Sequence, residues 1–86
     1  MRVRLYLTGY NETKEFCRTL NMNDFTGKAK LINGRGDQVD ARSLLGCILA
    51  HMEWGDDIWF ESDEDLYTLI EPWINVENGD GNYIHN

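Results

Sequence analysis

Hydrophobic and polar residues alternate at the start of the chain, with Val3, Leu5 and Leu7 set against Arg2, Arg4, Tyr6 and Thr8. A period of two marks a half-buried strand, and Gly9-Tyr10-Asn11 ends it. From about Glu12 to Leu20 the spacing becomes helical, placing Phe16, Cys17 and Leu20 on one face. After a polar loop from Asn21 to Asp24, two short segments, about Phe25 to Asn33 and Asp37 to Ala41, flank Gly34-Arg35-Gly36. They read as a hairpin, with Ala29 and Leu31 pointing inward from its first strand. Ser43 then stands as an N-cap before Leu44, Leu45, Ile48, Leu49 and Met52, the stripe of an amphipathic helix that Gly55 ends. Core packing is expected to take most of that stripe.

Asp57 to Glu61 reads as a strand with Ile58 and Phe60 inward and Trp59 outward. Ser62-Asp63-Glu64-Asp65 resembles a capping box for a third helix carrying Leu66, Leu69 and Ile70, which Pro72 stops. Trp73 and Ile74 are left to close the core edge. The order is β-α-β-β-α-β-α. One four-stranded antiparallel sheet with three helices on a single face buries these stripes economically, so the expected class is α+β, an open-faced sandwich. Residues 1–74 form the expected domain, and the polar, glycine-containing stretch 75–86 reads as a mostly disordered tail.

An 86-residue chain with 42% hydrophobic residues suits one domain. No apolar run approaches the roughly 20 residues of a membrane span, and the start lacks the apolar core of a signal peptide. Neither membrane association nor export is expected, and the expected compartment is the cytoplasm. Cys17 and Cys47 form no CxxC pair and read as buried, reduced thiols, in keeping with that compartment. The net charge is −7 and unevenly placed. All eight basic residues fall at or before Arg42, against five acids, while ten acids and no base follow from Ser43. Such an acidic second half would repel phosphates, so nucleic acid is not an expected partner.

The element order and one local run resemble the HPr phosphocarrier family of the bacterial sugar phosphotransferase system. That run is Ala41-Arg42-Ser43-Leu44-Leu45-Gly46-Cys47-Ile48, continuing without a gap to Gly55, Ile58 and Phe60. It is similar to the family's Lys-Ser-aliphatic-aliphatic-Gly segment and the strand that follows. The resemblance covers about Phe25 to Glu61, is weaker over the first strand and helix, and is absent in the tail. It implies an HPr-like sandwich whose active site would lie between the first strand and first helix, in a Gly-aliphatic-His-Ala-Arg-Pro motif. The corresponding stretch is Gly9-Tyr10-Asn11-Glu12-Thr13-Lys14, and no histidine precedes His51. Phosphotransfer needs an imidazole nitrogen that is nucleophilic near neutral pH, with donors around the phosphoryl oxygens. Asn11 is no nucleophile, and nothing in the sequence suggests an acyl-phosphate site at Glu12. Lys14 and Arg18 read chiefly as the solvated face of the first helix.

In the family, a regulatory kinase phosphorylates the serine matched by Ser43 in some members, and aliphatic residues matched by Leu44, Leu45 and Ile48 dock partner proteins. The expectation is therefore a non-enzymatic regulatory or protein-binding domain without cofactor, similar to the catabolite-repression members of the family, which lack the histidine and keep the serine. Two alternatives stand beside it: an unorthodox phosphocarrier, and a diverged structural domain that associates with itself. Trp59, outward on the sheet, marks a possible protein interface or, buried by a symmetry mate, a homodimer. The acids from Asp56 to Asp65 read as a solvated face and a helix terminus rather than a metal site.

Overall fold

A computed structural model describes residues 1–25 and 27–74, together with the backbone of Tyr83 and Ile84. Its elements run β1 (Arg2–Arg4), α1 (Tyr10–Met22), β2 (Ala29–Ile32), β3 (Gln38–Asp40), α2 (Leu44–Trp54), β4 (Trp59–Ser62), α3 (Tyr67–Ile70), a 3-10 turn (Glu71–Trp73) and β5 (Tyr83–Ile84). The strands form one antiparallel sheet in the order β3-β2-β4-β1-β5. The expected α+β open-faced sandwich is thus present, with its four strands and three helices. The two-residue strand β5 adds a fifth position beside β1 and is too short to leave a period in the sequence. The other residues of the expected tail lie outside those described.

The register explains which side chains become core. Val3 lies opposite Phe60, and Phe60 opposite Leu31, so one row points beneath the helices. All three are fully buried. Phe16 from α1 meets Phe60 edge-on at 5.9 Å and Trp73 edge-on at 5.5 Å, an arrangement that suits the ring quadrupoles. The neighbouring rows, Arg2–Glu61–Lys30–Asp40 and Arg4–Trp59–Ile32–Gln38, share the open face.

Two expectations are corrected. Ser62 does not cap α3. It is the last residue of β4, buried, with its N–H donated to the Met1 carbonyl and its hydroxyl to the Glu64 carbonyl. Pairing in the sheet outcompetes the capping box, so the helix starts later, at Tyr67, whose N–H is accepted by Asp65 Oδ1 at 3.0 Å. The second correction concerns α2. Its buried positions are Cys47 and Ala50, and the apolar stripe faces outward. Close approach dictates this: a Cβ on Gly46 would lie 3.2 Å from the Val39 Cβ, so the sheet side of α2 has room only for small residues. Gly55, with φ of +60°, then turns the chain away in a conformation that side chains disfavour.

Candidate functional site

The degenerate loop forms the start of α1. Gly9 is the N-cap, and its carbonyl accepts from both the Thr13 N–H (3.0 Å) and the Thr13 hydroxyl (2.9 Å). Tyr10, Asn11 and Glu12 make the first turn, and the Lys14 ammonium lies 5.5 Å from the Tyr10 ring centre. Glu12 is engaged, because its Oε2 accepts from the Trp73 indole N–H at 2.8 Å. This bond ties α1 to the end of the α3 region, and no local pattern signals it because the two residues are 61 positions apart. Arg18 pairs with Glu15 at 3.8 Å on the exposed side of α1. The loop brings no imidazole to this position, since His51 belongs to α2. His51 is half-buried, and its Nδ1 is enclosed without a partner among the described residues.

At the start of α2, Ser43 performs the expected capping: its Oγ accepts from the Gly46 N–H at 3.1 Å. The residue itself is exposed, as an acceptor of phosphate would need to be. Arg42, just before it, lays its guanidinium 4.0 Å from the Phe25 ring centre and donates to the carbonyls of Phe25 and Gly27. It thereby anchors the loop between α1 and β2.

From Ser43 the stripe runs along α2. Leu45 is 67% exposed and Met52 73%, with Leu44 and Leu49 above two-fifths and Ile48 half-buried. Residues Leu44 to Met52 include no Asp, Glu, Lys or Arg. A contiguous uncharged face of five large apolar side chains is uncommon on the surface of a small domain, and such faces mark interaction sites.

Beneath α2 the two thiols face the junction with α1. Cys17 Sγ donates to the Arg42 carbonyl at 3.4 Å and Cys47 Sγ to the Ala41 carbonyl at 3.2 Å. Burial pushes the Cys47 thiol far up, and the neighbouring Cys17 adds to this. Burial also raises Cys17, partly offset by hydrogen bonds with Cys47 and Asn21. A thiol whose folded pKa lies above its unfolded value contributes stability below the unfolded value of about 8.5 and loses it as pH rises beyond. The wild type should therefore lose about 1.4 kcal/mol of stability per pH unit above roughly 8.5 that Cys47→Ala does not lose. Parallel urea titrations at pH 7.5 and 10 measure the difference, and identical pH slopes would contradict it.

Several acids of this stretch are engaged by the backbone or by a lysine. Asp57 Oδ2 accepts from the Gly34 N–H at 2.8 Å and Asp63 Oδ2 from the Lys28 N–H at 3.0 Å, while Glu61 pairs with Lys30 at 3.6 Å. No group of three or more His, Cys, Asp or Glu among the described residues is placed to hold a metal ion. Trp59 lies on the open face, as the alternation predicts, beside Arg2 and Arg4. Among the described residues, no helix is long and apolar enough to cross a membrane.

Searches of family models, curated proteins and solved structures found nothing that matches this chain.

Proposed function

We propose that this chain is a non-enzymatic, HPr-like regulatory or protein-binding domain that docks a protein partner through α2 and performs no histidine phosphotransfer. The observation that carries this reading is the outward stripe Leu44, Leu45, Ile48, Leu49 and Met52. Burial of two such side chains in a partner's groove contributes about 1.5–3 kcal/mol each. The β-α-β-β-α-β-α order, the Ser43-to-Ile48 run and the loss of the loop histidine support placing it beside the histidine-lacking members of that family.

Control falls to Ser43. A phosphate there would sit at the positive end of α2, where the free N–H groups and helix dipole favour it. It would also set about −1.5 to −2 charges beside Leu44 and Leu45, at the edge of the docking stripe. Apolar docking through those residues would then require desolvating the phosphate, so modification switches binding off.

Two assays test the reading. Incubation with HPr kinase and ATP should add one phosphoryl group, absent from Ser43→Ala, and an unchanged mass would remove the regulatory half. Incubation with phosphoenolpyruvate and the upstream phosphotransferase should leave no acid-labile label, and such a label would remove the non-phosphotransfer half. Ser43→Ala also deletes the cap and should cost about 1 kcal/mol of stability in urea titration. No measurable cost would show that the Ser43–Gly46 bond contributes nothing.

A further inference from the structure

The open face of the sheet carries a second feature, independent of α2. Arg2 and Arg4 project from the same side of β1, about 6.6 Å apart at roughly 3.3 Å per residue. Their guanidinium carbons lie 5.5 Å and 6.0 Å from the Trp59 ring centre. Arg4 also lies 5.5 Å from the Tyr6 ring centre and donates from Nη2 to the Asp56 carbonyl at 2.9 Å. The Nε of each is enclosed, with no acceptor among the described residues. The indole therefore fixes both stems, and the ordering cost of two long side chains is met before any partner arrives.

Neither guanidinium has a carboxylate within ion-pairing distance among the described residues. The ion pairs there are Arg18–Glu15, Lys30–Glu61 and Arg35–Asp37. Glu61, directly opposite Arg2 in the register, is drawn to Lys30 instead. In a chain with fifteen acids and eight bases, two adjacent cations with no ion pair among the described residues are a local inversion of charge. With a Debye length near 10 Å at 0.1 M salt, that local pair governs close approach more than the distant acids do.

We infer that this face docks an extended acidic segment of a partner protein, with carboxylates two residues apart seated on Arg2 and Arg4 and the intervening backbone over Trp59. The match is geometric: side chains at i and i+2 of an extended peptide share one side at the same spacing as the two arginines. Arginine suits carboxylate because its planar fork can donate two parallel hydrogen bonds. A nucleic-acid strand fits less well, since a strand running along β1 would meet no further base beyond Arg4, where Tyr6 follows on the same side.

The test is an NMR titration of the full chain at low salt with a capped peptide of alternating Glu and Val, read at the Trp59 indole N–H and the amides of β1 and β4. Saturable shifts confined to those groups are expected, with none along α2, so that failure here leaves the α2 reading standing. Arg2→Gln/Arg4→Gln should weaken binding about tenfold, the loss of two half-exposed ion pairs. Raising the salt with the wild-type chain should weaken it similarly, which keeps the test valid if the double variant folds poorly. Absence of saturable shifts, shifts insensitive to salt and to the arginines, or tighter binding of an oligothymidylate would each overturn the inference.

Discussion

Phe60→Ala lowers the free energy of unfolding by about 3–5 kcal/mol, the range for removing a buried aromatic ring. Phe60 occupies the centre of the fold. It is fully buried on β4, opposite Val3 on one side and Leu31 on the other, and edge-on to Phe16 of α1. A small domain has only about 5–15 kcal/mol in total, so this substitution leaves a marginal protein at 25 °C. Urea titration followed by the tryptophan signal measures it. A loss under about 1 kcal/mol would mean that Phe60 is not at the core.

Leu45→Ala/Met52→Ala produces the opposite profile. Both side chains are largely in water, and alanine is the best helix former, so stability should change by less than about 1 kcal/mol. Were these residues core, each substitution would cost about 2–5 kcal/mol. Docking, by contrast, should weaken by at least about 100-fold, the low end for two apolar side chains no longer buried against a partner. The contrast between retained stability and lost binding separates a surface stripe from a core stripe. A large drop in the urea midpoint would return the stripe to the interior.

The α+β architecture was legible because strands and helices here have distinct periods. Val3, Leu5, Ile58 and Phe60 alternate, and Phe16, Cys17 and Leu20 recur at helical spacing, and all are buried. Ser43 was legible for a local reason, since capping depends on residues three apart. The orientation of α2 was not. Amphipathicity shows that a helix has two faces, but here both are apolar, and the small residues Gly46, Cys47 and Ala50 are the ones turned inward. Size, not hydrophobicity, decides the matter, because the sheet approaches too closely for leucine. The capping box at Ser62 misled because its chemistry is local, whereas β4 pairs with residues far away in sequence. The Glu12–Trp73 bond and the stacking of Arg2 and Arg4 on Trp59 are also long-range, and no local pattern announces them.

The claim that α2 is a docking face is tested most directly by photocrosslinking in the cells that make the protein. A benzoylphenylalanine placed at position 45 should yield one discrete adduct with a different protein, lost when Met52→Ala and Ile48→Ala are added. The same group at position 38, on the exposed edge strand β3, should yield none. Equal adducts from both positions, no adduct from position 45, or an adduct of this chain with itself alone would contradict the account.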